Sequence, residues 1–355
     1  MDTTLERWKL ADSGPNDTIL AYERPQLVRL DDNIVGAAFP LMKLIPARHI
    51  IQSALETGEV DSGTTVVEST SGTFGLGLAL VCARYGIPLR LVSDPVLDPY
   101  TRARLSDLDV QVDVISEPDH NGGFQQPRLD RLAQLRRKLG KTFWPRQYSN
   151  PTNPQAYHSL AALLVEEIGP FDCLVGPVGS GGSMCGTTSY LRAVLPRLRA
   201  IAVDTQHSVL FGQKDAPRLL RGLGNSVLPE NLDHTVFDDV HWVSHELAFR
   251  ATRELHRRHT AFMGPTSGAA HHVARWYAAE HPEQRVVVLL PDEGHRYTTT
   301  VYDDTWLRER CGDHPVQVNE PRTVVAPREA EQSPWAKMSW RRRSLNLNAE
   351  MTAKG

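Results

Sequence analysis

The chain has little of what several classes of protein require. It contains only four cysteines in 355 residues and no Cys-x-x-Cys pair, which argues against a zinc site or a redox motif. Its formal net charge of -3 gives no large attraction to nucleic acid or to an anionic membrane. It lacks an apolar run long enough to span a bilayer, and residues 1–11 lack the apolar core of a signal peptide. These absences predict a cytoplasmic enzyme with no metal, nucleic-acid or membrane partner.

What is present is typical of an α/β protein. The hydrophobic fraction is 41% and the charged fraction 23%, and the length is enough for two domains. Strand-like runs alternate with helical patterns from about residue 64 to residue 300, and several strands are continuous apolar runs. Such strands favour largely parallel sheets with helices on both faces, in which ligands bind at the carboxyl ends of the strands.

A glycine-rich loop connects the apolar run 173–175 to a helical pattern that begins at Met184. A strand, a glycine-rich loop and a helix together can bind phosphate, because backbone N–H groups close on the anion and the helix N-terminus adds partial positive charge. The alternative is an ordinary tight turn between strand and helix. The loop consists of Gly179, Ser180, Gly181, Gly182 and Ser183.

A second loop of small residues lies upstream, between the strand-like run 64–68 and another helical pattern, and Lys43 lies further upstream still. Lys43 alone would be interpreted as a surface lysine, but it stands in the apolar stretch 39–46, where burial would lower the pKa of its amine. A phosphate-binding loop, a hydroxyl-rich loop and a lysine indicate a phosphate-bearing cofactor held as a Schiff base. The second loop comprises Ser69, Thr70, Ser71, Gly72 and Thr73.

Six short motifs then occur in the order in which one enzyme family has them. They are the loop at 68–75, Gln-Tyr-Ser-Asn-Pro-Thr-Asn at 147–153, the loop at 179–183, Gly-Leu-Gly at 222–224, Thr-Ser-Gly at 266–268 and Leu-Pro-Asp-Glu-Gly-His-Arg-Tyr at 290–297. Together they resemble the pyridoxal-phosphate enzymes of the cysteine synthase and cystathionine β-synthase group, over about residues 27–309. The resemblance implies fold type II, pyridoxal 5′-phosphate as cofactor and a homodimer.

Three further segments carry a narrower resemblance. Residues 115–119, 208–212 and 301–307 are similar to the N-(2-amino-2-carboxyethyl)-L-glutamate synthases of siderophore biosynthesis. That subgroup takes O-phospho-L-serine and L-glutamate and begins the supply of 2,3-diaminopropionate. The resemblance implies β-replacement on an activated L-serine, O-phospho-L-serine or O-acetyl-L-serine, with an amino-acid amine. The alternatives are a cysteine-synthase-type sulfur transfer and a non-catalytic binding protein that keeps the cofactor fold.

The resemblance also implies a role for each candidate residue. Lys43 would hold the cofactor and move the Cα proton, and Thr73 would replace an asparagine that meets the ring oxygen. The loop Gly179–Ser183 would bind the cofactor phosphate, and Thr266 would face the pyridine nitrogen unless Asp292 or Glu293 reached it. The substrate-binding residues would be Ser69, Thr70, Ser71, Gly72, Gln147 and Gly222, with a strand-end turn as the alternative for Gln147.

Three expectations concern the rest of the chain. The stretch between residues 27–30 and Lys43 is shorter than in the family, which predicts that a strand or its hairpin is missing. We expect a small domain at 46–149, a large domain at 1–45 with 150–310, and a solvated tail at 311–355 that covers the body or a partner subunit. The alternative for the tail is a basic and aromatic contact arm. A phosphorylated donor would need a cation at its leaving group, and Arg128 and Arg146 are the candidates, each equally well interpreted as a solvated arginine.

Overall fold

A computed structural model describes residues 18–345, except 71, 119–122, 221, 313–315 and 317. The chain divides into two compact units, of which the first contains Leu41–Ala156 and the residues up to Arg24. The second contains Pro25–Pro40 and the residues from Tyr157 onward. Within the described part of the chain, no helix combines the length and apolar character needed to cross a membrane.

The helices and strands alternate as the sequence predicts. In chain order they are α1 (Thr18–Glu23), β1 (Gln26–Asp31), β2 (Ile34–Ala38), α2 (Leu44–Glu56), β3 (Thr65–Ser69), α3 (Thr73–Tyr85), β4 (Leu89–Ser93), α4 (Pro99–Asp107), β5 (Gln111–Val114), α5 (Gln125–Lys138), β6 (Thr142–Phe143), α6 (Thr152–Gln155), α7 (His158–Ile168), β7 (Cys173–Pro177), α8 (Gly182–Val194), β8 (Arg199–Asp204), β9 (Asp239–Val243), α9 (His245–His259), α10 (Pro265–Glu280), β10 (Val286–Leu290), α11 (Asp304–Cys311), β11 (Arg322–Thr323) and β12 (Trp335–Ser339).

The first unit is built on a four-stranded parallel sheet in the order β5-β4-β3-β6. Its central strand β3 is buried through Val66 and Val67, and α3 packs apolar residues such as Leu78 into the same core as α2. Since β3 and β6 are parallel neighbours, their carboxyl ends lie at the same edge of the sheet. That edge carries Ser69 at the end of β3 and leads from β6 towards Gln147.

The second unit contains an eight-stranded mixed sheet in the order β1-β2-β10-β7-β8-β9-β12-β11. Strands β2, β10, β7, β8 and β9 run parallel, and β7 and β10 are buried along their whole length, as expected for strands covered on both faces. Since β7 and β10 are neighbours, the loops after them emerge at the same edge of the sheet. These loops carry Gly179–Ser183 and Asp292.

The prediction that a strand or its hairpin is missing before Lys43 is wrong. Strands β1 and β2 form an antiparallel hairpin, with Gln26 opposite Ala38. The turn between the two strands is short. The side-chain amide of Asn33, in this turn, donates to the carbonyl oxygens of Ala278, His281 and Gln284 at 3.0–3.2 Å and so fixes the turn to the second unit. A tight, internally anchored turn therefore accounts for the short segment.

The described part of the tail covers the body of the second unit, as expected, but it is ordered into strands with buried side chains and is not a solvated segment. Strand β12 pairs antiparallel with β9, and β11 extends the sheet by one more strand. Trp335 and Trp340 are fully buried, and the Trp340 ring meets the Phe211 ring edge-on, with 5.2 Å between the centroids. The tail therefore adds to the core of the second unit and covers an otherwise unpaired sheet edge.

Candidate active site

Both units carry residues that the sequence marks as functional. The first unit contains Lys43, Ser69, Thr70, Gly72, Thr73 and Gln147, and the second contains Gly179, Ser180, Gly181, Gly182, Ser183, Gly222 and Thr266. Ser71 lies outside the described residues.

Lys43 directly precedes α2 and is partly buried. Burial lowers the pKa of its amine to about 8. Helix α3 approaches the lysine closely, since a Cβ placed on Gly77 would lie only 2.9 Å from the carbonyl oxygen of Lys43. A lysine with a lowered pKa in a fixed backbone position is suited to form a covalent bond with a carbonyl group.

The hydroxyl-rich loop follows β3 and leads into α3. Ser69 and Thr70 are buried, and the backbone N–H of Thr70 donates to the carbonyl oxygen of Val92 at 3.0 Å, which continues the pairing of β3 with β4. Gly72 directly precedes the 13-residue helix α3 and has no side chain with which to cap it. Hydroxyl groups beside a helix N-terminus without a side-chain cap form a surface that favours an anion such as a carboxylate.

Gln147 is buried beyond the end of β6. Its carbonyl oxygen accepts a hydrogen bond from the Asn153 side-chain amide at 2.5 Å, and its backbone N–H donates to Oε2 of Glu68 at 3.4 Å. Glu68 is itself buried, directly before Ser69, and its Oε1 accepts from the Ser69 backbone N–H at 2.7 Å. The structure therefore connects Gln147 to the hydroxyl-rich loop through one carboxylate.

Glu68 was not predicted from the sequence to be a functional residue. Burial raises the pKa of its carboxyl group to about 7, against the effect of the hydrogen bonds that it accepts. The available signal was a lone acidic residue that follows Val66 and Val67 at the end of an apolar strand. A charged residue in such a strand is costly unless it is partnered, so it marks a place with a specific role.

In the second unit, the glycine-rich loop follows β7 and ends in the 13-residue helix α8. Gly181 has a φ of +82°, and a Cβ on it would lie 2.8 Å from the Cα of Leu232 and 2.9 Å from the carbonyl oxygen of Asn231. Only glycine fits this position. The first N–H groups of α8 have no side-chain cap, because no side chain accepts a hydrogen bond from them at the start of the helix. The loop is therefore a cradle that fits a phosphate group.

Two further candidates adjoin this loop. A Cβ on Gly179 would lie 3.3 Å from the carbonyl oxygen of Gly222, and a Cβ on Gly222 would lie 3.4 Å from Cγ2 of Thr266. Thr266 is buried in the first turn of α10. The glycine loop, Gly222 and Thr266 thus form one continuous surface in the second unit.

The two carboxylates after β10 have partners of their own. The Tyr297 hydroxyl donates to Oδ2 of Asp292 at 2.8 Å, and the Arg296 guanidinium lies 3.6 Å from the same oxygen. Glu293 is partly exposed, and its Oε2 lies 3.1 Å from Nδ1 of His295. Both carboxylates therefore have contacts of their own, whereas Thr266 adjoins the glycine-rich loop through Gly222.

The two arginines considered for a phosphorylated donor differ in their surroundings. The Arg128 guanidinium lies 2.9 Å from Oδ2 of Asp94, and both side chains are largely buried, so its charge is already balanced. Arg146 is exposed, and its backbone has a φ of +54°. Arg146 therefore is the better candidate of the two.

The second unit has a glycine-rich loop, after β7, that fits a phosphate group, and the first unit has a lysine of lowered pKa. On an α/β scaffold, these two features are typical of a class of protein that binds a phosphorylated carbonyl cofactor. Residues 42–292 match the family model described as pyridoxal-phosphate dependent enzyme, and the chain belongs to that family. Its cofactor is pyridoxal phosphate, and the predictions of the cofactor and of an enzyme are confirmed.

The relatives narrow the resemblance. The chain is 34% identical over 268 residues to the N-(2-amino-2-carboxyethyl)-L-glutamate synthase of Cupriavidus metallidurans, covering 74% of this chain and 79% of the relative. It is 35% identical over 294 residues to the enzyme of the same name from Ralstonia nicotianae, covering 79% and 87%.

A solved structure supports the fold. The O-acetylserine dependent cystathionine β-synthase from Helicobacter pylori superposes with a TM-score of 0.72 at 26% identity, covering 79% of this chain and 96% of that one. The predicted fold type II and the predicted family are confirmed by these matches, and so is the β-replacement class.

Proposed function

We propose that the protein joins an activated L-serine to the amine of an amino acid such as L-glutamate, by pyridoxal-phosphate-dependent β-replacement. The similarity to two synthases whose name states this product, over most of both chains, carries the proposal. The 2-amino-2-carboxyethyl group is the skeleton of serine without its hydroxyl group. Such a product supplies 2,3-diaminopropionate for siderophore or natural-product biosynthesis.

The reaction exchanges one bond at Cβ of serine for another. The Cα proton and the activated oxygen leave, and the amine nitrogen then adds to Cβ while Cα regains a proton and the nitrogen loses one. When bound, pyridoxal phosphate draws electrons from Cα, which makes the Cα proton acidic enough to leave. The first unit supplies the proton carrier, since the Lys43 amine has a pKa of about 8 and exchanges protons readily near neutral pH.

The remaining candidate residues would bind and orient the cofactor and the substrate. The cradle Gly179–Ser183 would hold the cofactor phosphate, Thr73 would face its ring oxygen and Thr266 its pyridine nitrogen. A neutral hydroxyl at that nitrogen stabilises a protonated ring less than a carboxylate would, which suits elimination and addition at Cβ. The substrate carboxylate would bind to the second loop and its neighbours, namely Ser69, Thr70, Ser71, Gly72 and Gln147, with Gly222 completing the substrate-binding set.

A second candidate function is sulfur transfer from an O-acetyl-L-serine donor, as in cysteine synthases. The structural likeness to an enzyme described as O-acetylserine dependent favours it. The choice of leaving group separates the two, because a buried phosphate requires a cation and an acetate does not. Arg146 is the residue that would supply the cation.

The deciding experiment incubates the purified, cofactor-loaded protein with each donor and each nucleophile. The donors are O-phospho-L-serine and O-acetyl-L-serine, the nucleophiles are L-glutamate and sulfide, and mass spectrometry reads the products. We expect the glutamate adduct of the phosphorylated donor to form fastest. Rapid consumption of sulfide without reaction of glutamate would replace the proposal by sulfur transfer, and no product with any pair would refute both candidate substrate pairs.

Two properties of the assembly belong to the same proposal. We expect a homodimer in the cytoplasm, as the family resemblance implies. Gel filtration with light scattering tests the dimer, and fractionation of the native host tests the compartment.

A further inference from the structure

Glu68 is a buried acid that is surrounded by hydrogen-bond donors. Its side chain lies at the carboxyl end of β3 and is only 2% exposed. Oε1 accepts from the backbone N–H of Ser69 at 2.7 Å and from Nε1 of Trp144 at 2.9 Å. Oε2 accepts from the backbone N–H of Gln147 at 3.4 Å, and the backbone N–H of Arg146 also donates to the carboxylate.

The backbone around residue 146 is shaped to make these contacts. Arg146 has a φ of +54°, a left-handed conformation that a residue other than glycine adopts at a cost. A left-handed residue turns successive N–H groups towards the same side of the chain, where they form a concave anion site. The N–H groups of Arg146 and Gln147 therefore converge on one carboxylate.

A purely structural role does not account for this arrangement. An apolar side chain of similar size would fill the space without the cost of burying a charge. The carboxylate instead connects two separate segments, the end of β3 and residues 144–147. These two segments carry Ser69 and Gln147, both assigned above to the substrate carboxylate.

We propose that Glu68 is a positioning residue that holds the Ser69 loop and Gln147 in one geometry for binding the carboxylate of the amino-acid substrate. This inference rests on the proposed function, because it assumes that these two segments bind an amino acid. Glu68 acts through the backbone N–H groups that donate hydrogen bonds to its carboxylate. We assign it no contact with the substrate.

Glu68→Gln separates the charge from the shape of the side chain. The amide keeps one acceptor oxygen, but its NH2 group faces donors where the carboxylate had a second acceptor. We expect the contacts of Oε1 or Oε2 to be lost and the two segments to separate. Trp144→Phe is the second variant, because it removes one donor and leaves the carboxylate in place.

The first measurement is hydrogen exchange on the full-length protein as purified, which needs no turnover. In Glu68→Gln, we expect the amides at the replaced oxygen, either Ser69 or Gln147 with Arg146, to exchange about ten-fold faster or more, because a hydrogen bond to a charged acceptor is lost. Trp144→Phe should accelerate the amide of Ser69 less. Unchanged exchange at all three amides in both variants would overturn the proposal.

The second measurement is the Kd of O-phospho-L-serine and O-acetyl-L-serine, read from the visible absorbance of the bound cofactor. We expect Glu68→Gln to weaken both by about ten-fold or more with no change in cofactor content. In the double variant with Gln147→Ala, the two losses should combine to less than their product, since both act on one site. Losses that multiply, or an unchanged Kd, would contradict a positioning role.

Asp113→Asn is the matched control. Asp113 is a partly buried carboxylate on β5 of the same unit, where it binds Arg90 and Arg131 at 2.9 and 2.7 Å. We expect this variant to lose stability without a change in either Kd, and an equal loss of affinity would make the effect of Glu68 merely structural. If the unaltered protein responds to neither amino acid, the proposed function fails, whereas a response that Glu68→Gln leaves intact removes only the role of Glu68.

Discussion

The backbone of Lys43 and the small residue Gly77 lie in direct contact across α2 and α3. A Cβ on Gly77 would come within 2.9 Å of the Lys43 carbonyl oxygen and 3.2 Å of the Cβ of Ala47. Because the obstructing atom belongs to the backbone, no side-chain rotation can relieve the overlap. The absence of a side chain at Gly77 therefore allows the backbone of Lys43 to lie this close to α3.

Gly77→Ala should push α3 away from Lys43. We expect a loss of about 1–3 kcal/mol in the free energy of unfolding, typical of overpacking in a core, and a lower content of bound cofactor. Urea unfolding and the visible absorbance of the purified protein measure the two effects. Gly63→Ala is the control, since a Cβ there would lie 3.7 Å from the nearest atom, Oδ1 of Asp61, an ordinary contact. Equal effects of both variants would contradict this account.

Lys43 should be the residue that carries the cofactor. Reduction of the loaded protein with borohydride, followed by digestion and mass spectrometry, should find the label on Lys43. Lys43→Arg should abolish the label and the visible absorbance while the protein stays folded. A label on any other lysine would remove Lys43 from the site.

The lowered pKa of Lys43 predicts how cofactor loading depends on pH. Only the neutral amine attacks a carbonyl, and burial lowers its pKa from 10.5 to about 8. The loading rate of the apoprotein should therefore rise about ten-fold per pH unit below pH 8 and level off above it. A rate that continues to rise up to pH 10 in stopped-flow absorbance would show an amine with its ordinary pKa.

Motifs of the loops could be predicted from the sequence because their function requires particular residues. Gly181 must be glycine, since its φ is positive and its neighbours are backbone atoms, and that requirement is visible in the sequence. The alternation of apolar strands and helices likewise predicted the parallel part of both sheets.

Contacts between distant residues could not be predicted in this way. Arg128 pairs with Asp94, which is 34 positions away in the sequence. Because this pair balances the charge of Arg128, Arg128 is a weaker candidate than Arg146 for binding a leaving group. The donors that surround Glu68 come from residues up to 79 positions away, and the motifs that contain Ser69 and Gln147 do not reveal that their backbone N–H groups meet on one carboxylate. Strand β12 was not predicted because it is only five residues long and mixes apolar with polar residues. Its pairing with β9 is what makes it a strand.

Thr266→Asp should alter which reactions the protein catalyses. A carboxylate in place of the hydroxyl would stabilise a protonated cofactor ring and increase electron withdrawal from Cα. We expect β-replacement to slow and products of transamination or racemisation to appear, which mass spectrometry and chiral chromatography distinguish. Thr266→Ser, which keeps a hydroxyl group, is the control and should retain the original products. A Thr266→Asp variant with an unchanged product ratio would assign the ring contact to another residue.

Trp340 should anchor the tail to the second unit. It is fully buried, its Nε1 donates to the carbonyl oxygen of Arg343 at 2.7 Å, and its ring packs on Phe211 and His234. Trp340→Ala removes a large buried side chain, so we expect a loss of about 3–5 kcal/mol in the free energy of unfolding, measured with urea. Val325→Ala is the control within the same tail, because Val325 is 83% exposed and its truncation should change stability by less than about 0.5 kcal/mol. If both substitutions leave the urea midpoint unchanged, the tail does not contribute to the core of the second unit.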